Sequence, residues 1–421
     1  MNNEYHLPSE ELIIPTGMIM AVHAMADPNR MALVTREKTM TYQELNSRVN
    51  QLARALRKRG VMPEDSIAVL LKNRAEFIEV LYANARIGTR FTPINWHLSA
   101  AEVGYILDNC DAKVIITEAD LKDTCIEALQ DNTKAKIKVL IDDTDDAFEA
   151  YESLLEGEET SNIDEPIPGK AMLYTSGTTG HPKGVYRKTP PKVNAIQLQL
   201  IATGAYNPGN DVFYSPGPLY HSSPLAIGIL LHITVGATII VTQKWDAHEA
   251  LKLMHKYKVT HINVVPYHMQ SLLKLDDDIK KQYNVSHLRW MFHTGAPCPR
   301  HIKQDLMAWL GPVIYEMYAG TEGVFTIVSP KEWLEHPGTV GKPDPSVGLT
   351  ILNDDGEELP AGEIGYIYAN TEDLGRFEYY KDEEKTQKTY RGNLFSLGDK
   401  GYLDAEGYLY ITGRTADLVL S

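Results

Sequence analysis

The stretch 174–185, Tyr-Thr-Ser-Gly-Thr-Thr-Gly-His-Pro-Lys-Gly-Val, is a hydroxyl- and glycine-rich loop ending on a lysine, and whatever fold the chain adopts has to present it. Gly177, Gly180 and Gly184 allow the backbone to approach a bulky anion, Thr175, Ser176, Thr178 and Thr179 add hydroxyl donors, and Lys183 brings a mobile charge. Exposed amides in such a loop form an anion-binding concavity. The common nucleotide loop, Gly-x-x-x-x-Gly-Lys-Ser/Thr, does not fit, because Pro182 precedes the lysine and Gly184 stands where the magnesium-binding hydroxyl belongs. Any metal is therefore held elsewhere. The plainer alternative is a simple surface loop, since Gly, Ser and Thr are ordinary loop residues. The apolar run Ala171–Tyr174 favours the phosphate reading, as it would deliver the loop from a buried strand.

With 421 residues, 43% hydrophobic and 23% charged, the chain has room for several packed units. A formal net charge of −15 argues against a nucleic-acid or anionic-membrane surface as the main partner. The three cysteines, 110, 125 and 298, form no CxxC pair, so neither a disulfide framework nor a structural zinc site is expected, and a cytoplasmic home is the simplest. Leu12–Met25 lacks a basic leader and contains Pro15 and His23, unlike a signal peptide, and no stretch reaches membrane-spanning length.

Thr41-Tyr-Gln-Glu44 has capping-box spacing, and Leu45, Val49, Leu52, Ala53 and Leu56 recur on one helical face as far as Gly60. Ser66–Leu71, Lys113–Thr117 and Ile137–Ile141 read as buried strands, and Arg74–Ile87 as a helix ending at Gly88. The acidic stretch 142–165 reads as a solvated connector. The α/β alternation resumes with strands at Ile239–Thr242, His261–Val265 and Leu288–His293 and helices at Ala247–Tyr257 and Arg300–Trp309. Beyond Pro337, Leu349–Leu352 and Glu363–Tyr368 suggest a small antiparallel unit. The expected fold class is α/β with layered, largely parallel sheets.

Taken in order, Pro93-Ile-Asn95, the 174–185 loop, Pro218-Leu-Tyr-His221, Gly295-Ala-Pro297, Tyr318-Ala-Gly-Thr-Glu322, Gly398-Asp399 and Gly413-Arg414 resemble the acyl-adenylate-forming superfamily of acyl-CoA synthetases, adenylation domains and firefly-type luciferases. The resemblance covers nearly the whole chain. It implies the large N-terminal domain of that fold: two layered α/β subdomains, 1–170 and 171–330, a small antiparallel β subdomain at 331–413, and a hinge at 414–421. It also implies ATP, Mg2+ and coenzyme A. A carboxylate attacks the α-phosphate of ATP, expels pyrophosphate and becomes a mixed anhydride that a thiol can open.

By the same resemblance, residues 175–184 with Lys183 would grip the β- and γ-phosphates, Glu322 would help hold Mg2+, and Thr321 would reach the α-phosphate. Tyr318 would lie against adenine, with Gly295, Ala296 and Pro297 as the opposite wall. Asp399 would accept from the ribose hydroxyls, with Arg414 alongside, and Asp417 would be the hinge residue. His221 would gate or orient the acid in a pocket that includes Ser222, Gly228, Val264, His293, Thr294 and Gly320. Structural alternatives exist for each: Glu322 at a helix N-terminus, Asp399 in a turn, Tyr318 in ordinary core and His221 half-buried against backbone.

Ala319, Leu397 and Ala416 depart from the usual pattern, and the family's small C-terminal domain, which carries a catalytic lysine, would lie beyond Ser421, so slow adenylate formation without efficient thioester formation is expected of this chain. The candidate pocket segments contain no lysine or arginine to match a second carboxylate, which favours a hydrophobic monocarboxylic acid. Rival readings are an acyl-AMP ligase or adenylation module serving a carrier protein, a kinase-like phosphotransferase and a non-catalytic nucleotide sensor. A homodimer is left open.

Overall fold

The structure, a computed structural model, describes residues 7–130, 134–175, 181–188, 195–370 and 375–414. Ser176, Gly177, Thr178, Thr179, Gly180 and Asp417 lie outside the described residues. The chain divides into two compact units: 1–186 with 208–211 and 215–244, and 187–207 with 212–214 and 245–421.

In the first unit, helix α1 (Tyr42–Lys58) starts at the expected capping box. The Thr41 hydroxyl accepts from the Glu44 amide at 3.1 Å and the Glu44 carboxylate accepts from the Thr41 amide at 2.7 Å. Such a cap contributes about 1 kcal/mol. Leu45, Val49, Leu52, Ala53 and Leu56 are all buried, as their spacing requires. Strand β1 (Ser66–Leu70), helix α2 (Ala75–Ile87), and strands β2 (Arg90–Pro93), β3 (Ala112–Glu118) and β4 (Ile137–Ile141) build a parallel sheet. Its order is Glu149–Ala150, β4, β3, β1, β2, Lys170–Ala171. β1 is buried throughout, which is why it reads as an unbroken apolar run instead of an alternating one.

The acidic stretch 142–165 differs from the expected solvated connector. It holds a short helix, Tyr151–Leu155, that buries Tyr151, Leu154 and Leu155. Its carboxylates face the basic side of α1: Glu152 pairs with Arg48 at 2.8 Å and Glu158 with Lys58 at 2.8 Å, and Glu149 pairs with Arg59. Composition conveyed the charge but not the complementary stripe that neutralises it.

The run before the hydroxyl-rich loop also differs. Strand β5 (Leu173–Thr175) is only half-buried and pairs antiparallel with β6 (Lys183–Tyr186), so the loop joins two strands of a hairpin and does not leave a buried strand.

In the second unit, strand Val212–Ser215 lies parallel to β7 (His261–Val264), β7 to β8 (Trp290–His293), and β8 to β9 (Ile314–Gly320). Helix α3 (Arg300–Leu310) connects β8 to β9. β10 (Gly323–Val328) then turns back antiparallel on β9. The antiparallel unit expected after Pro337 is present: Thr350–Leu352 pairs with β11 (Gly365–Asn370), β11 with β12 (Asp399–Leu403), and β12 with β13 (Leu409–Arg414).

Candidate active site

Parallel strands place ligand-binding residues where their carboxyl ends stop and loops begin. In the second unit that edge carries Val264 at the end of β7, His293 at the end of β8, and Tyr318 to Gly320 at the end of β9. Val264 and His293 are register partners, as are His293 and Glu316. After the buried pair His293 and Thr294 the chain emerges as Gly295, Ala296 and Pro297, all exposed. Gly295 has φ of +87°, and a Cβ there would meet only Val265 Cγ1 at 3.9 Å, so conformation and not crowding selects glycine.

Tyr318, Asp399 and Arg414, distant in sequence, form one hydrogen-bonded chain. The Tyr318 hydroxyl donates to Asp399 Oδ2 at 2.7 Å, and Arg414 Nε donates to Asp399 Oδ1 at 2.9 Å. Burial, reinforced by the Asp399 charge, holds the Tyr318 hydroxyl far above its ordinary pKa, so it remains a donor. Each Asp399 oxygen keeps a second lone pair, which leaves acceptors for a vicinal diol. Asp399 is a buried strand residue at the start of β12 and not the turn residue of the structural alternative.

Thr321 and Glu322 are the two loop residues of the β9–β10 hairpin, whose flanking positions Gly320 and Gly323 pair directly. A hairpin turn, not a helix N-terminus, therefore presents Glu322. A Cβ on Gly320 would come within 2.7 Å of Leu397 Cδ2 and 2.9 Å of Glu322 Oε2, so a side chain there would displace the carboxylate. Glu322 Oε1 accepts from the Tyr379 hydroxyl at 3.0 Å. Burial and the Glu322 charge raise the Tyr379 pKa, which keeps that proton in place. No group of three or more His, Cys, Asp or Glu suited to a metal occurs among the described residues. A single carboxylate with a free oxygen nevertheless fits Mg2+, which is commonly held by one or two carboxylates together with substrate phosphates.

One cluster escaped the sequence reading. Lys303 on α3 donates to Glu316 Oε2 on β9 at 2.7 Å, and His293 Nε2 lies 3.4 Å from the same oxygen. Lys303 Nζ also sits 4.4 Å from the centroid of the Trp333 ring. Burial alone would raise the Glu316 pKa, but His293 and Lys303 outweigh it and pull it down to about 2. One carboxylate thus ties together both stems of the Gly295–Pro297 loop, the end of β8 and the start of α3. The available signal was a charged residue within the apolar alternation of Ile314–Tyr318.

In the first unit, Thr175 and Lys183 are direct cross-strand partners at the base of the hydroxyl-rich loop. His221 reaches the surface while burial of its ring lowers its pKa, and Ser222 beside it is half-buried. Gly228 is buried within a π-helical segment, Pro224–Leu231, a rare geometry that often marks functional sites. The buried His232 ring contacts the Ile227 carbonyl at 2.7 Å and the Gly228 carbonyl at 3.1 Å, satisfying groups that the wide helix leaves open.

Residues 20–376 match the AMP-binding enzyme family. The chain is 27% identical to indoleacetate–CoA ligase of Aromatoleum aromaticum, over 95% of this chain and 78% of the relative. It is 30% identical to 2-succinylbenzoate–CoA ligase of Oceanobacillus iheyensis, over 94% and 78%. Its fold superposes on the inhibitor-bound N-terminal domain of FACL13 from Mycobacterium tuberculosis with a TM-score of 0.82 and 26% identity, covering 95% of this chain and 99% of that one. The chain belongs to the AMP-binding enzyme family, the ATP- and Mg2+-dependent, AMP-forming enzymes that include the coenzyme A ligases.

Proposed function

We propose that this chain activates a hydrophobic monocarboxylic acid with ATP and passes the acyl group to the thiol of coenzyme A. A carboxylate oxygen attacks the α-phosphorus, the bond to pyrophosphate breaks, and the thiol sulfur then attacks the acyl carbonyl and releases AMP. Catalysis of this kind consists chiefly of positioning and charge neutralisation.

The observation that carries the reading is the Tyr318–Asp399–Arg414 chain, which fixes a carboxylate with spare acceptors beside an aromatic ring, as a nucleoside requires. On this reading Tyr318 and the Gly295–Ala296–Pro297 loop flank adenine, Asp399 takes the ribose hydroxyls, and Thr321 meets the α-phosphate. Lys183 and the loop above Thr175 meet the outer phosphates. Glu322 holds Mg2+, which when bound neutralises charge on the triphosphate. His221 orients the acid.

The identity of the acid rests on composition. His221–Leu231, Asn263–His268, His293–Gly295 and Met317–Gly320 contain no lysine or arginine, so a second carboxylate would lack a cation. The buried, unbridged Cys110 and Cys125 suit a reducing cytoplasm, and no described helix is long and apolar enough to cross a membrane.

A screen of pyrophosphate release tests the proposal, using acids of graded length and ring content with coenzyme A or an acyl-carrier thiol as acceptor. Release that depends on an apolar monocarboxylate, with thioester formed on coenzyme A, is the expected result. Release without dependence on any acid sinks the proposal, and thioester formed only on the carrier protein moves the acceptor assignment there.

A further inference from the structure

We propose that Arg187 is a further anion-binding residue, one that contacts a phosphoryl group of the triphosphate or of the pyrophosphate released from it. The inference rests on the nucleotide reading above and adds a residue that the motif order does not contain.

Arg187 follows β6 and opens the second unit. Its guanidinium lies 5.8 Å from the centroid of the Phe377 ring, and one terminal nitrogen, Nη2, donates to the carbonyl oxygen of Glu322, in the turn that carries Thr321. Its Nε is buried with no hydrogen-bond partner among the described residues. Among the described residues no carboxylate lies within ion-pair distance of it, whereas the more deeply buried Arg74 is matched by Glu76, Glu118 and Asp142, and the fully buried Arg86 gives its terminal nitrogens to the Asn46 and Asn50 side chains.

A guanidinium has five N–H donors and cannot shed its charge under physiological conditions. Arg187 is half-buried, and its buried, unpartnered Nε leaves a donor and a charge for an anionic ligand to meet. The fork of a guanidinium matches the geometry of phosphate oxygens. The ligand the site lacks is therefore a polyphosphate, and the turn pinned by Arg187 is the one expected to hold the α-phosphate and Mg2+.

Inorganic tripolyphosphate, titrated calorimetrically without metal into the wild type, Arg187→Gln and Arg187→Lys, decides the matter. Glutamine keeps a donor for the Glu322 carbonyl but removes the charge, and lysine keeps the charge. Loss of a charge-assisted contact predicts about tenfold or weaker binding for the glutamine variant, with the lysine variant intermediate, since it keeps the charge and loses the fork. The Michaelis constant for ATP should rise in parallel. Unchanged tripolyphosphate affinity in Arg187→Gln overturns the inference, because a residue that only props the turn would behave that way. Failure of the wild type itself to bind tripolyphosphate overturns the nucleotide reading instead.

Discussion

Replacing Lys303 by methionine removes a charge from a fully buried position. Lys303 is 0% exposed and Glu316 is 8% exposed, and they meet at 2.7 Å. Methionine retains much of the packing against Trp333 while leaving Glu316 with His293 alone. Two routes give the cost. Breaking a buried ion pair by deleting one partner typically costs about 3–5 kcal/mol. The Glu316 carboxyl is held at about 2 against an ordinary 4.5, which at about 1.4 kcal/mol per pH unit is roughly 3 kcal/mol from His293 and Lys303 together, an upper bound on the share of Lys303. For a unit of this size that is a drop in Tm of roughly 6–12 °C near neutral pH. The sign with pH follows from the depressed value. Glu316 contributes its full stabilisation above about 4.5 and loses it as the pH falls toward 2. In the variant only the His293 part of that contribution remains, so the gap between wild type and variant should be widest at pH 7, shrink below about pH 4 and close toward pH 2. Thermal denaturation across that range measures it. Adding Glu316→Leu to Lys303→Met should recover most of the loss, since two apolar groups leave no charge stranded. A gap independent of pH, or a double variant no more stable than the single one, would refute the reasoning.

Tyr318→Phe should leave the fold intact, since the ring persists, while the loss of one charge-assisted hydrogen bond to Asp399 raises the Michaelis constant for ATP about tenfold; steady-state kinetics with varied ATP checks it. Gly320→Ala should displace the Glu322 carboxylate or Leu397, costing about 1–3 kcal/mol in stability and raising the Mg2+ concentration needed for half-maximal turnover, as read from thermal melts and metal titrations.

Features written locally were legible in the sequence. The capping box and apolar spacing of α1 identify it because a helix buries one stripe whatever surrounds it. The order of motifs likewise singled out Tyr318, Asp399 and Arg414, and the fold brings the first and last to hydrogen bond with Asp399. The Lys303–Glu316 pair was not legible, because a lysine on an amphipathic helix ordinarily faces water and only packing of α3 on β9 reveals the exception. The Tyr379–Glu322 bond spans 57 positions and has no local signature. The acidic stretch 142–165 was misread for a related reason: its partners are on α1, about a hundred residues earlier, and composition within a window does not see across such a separation.

The β9–β10 hairpin carries Glu316, Tyr318, Thr321 and Glu322 on one continuous piece of backbone. From Tyr318 to Glu322 is four residues, at most ~14 Å of extended chain. On the nucleotide reading this single rigid element acts as a ruler laid along the ligand, with the purine at one graduation and the metal-bearing phosphates at another. The covalent chain caps the distance between them however separate loops happen to close, so a tail one phosphate too short would reach the first mark and miss the second.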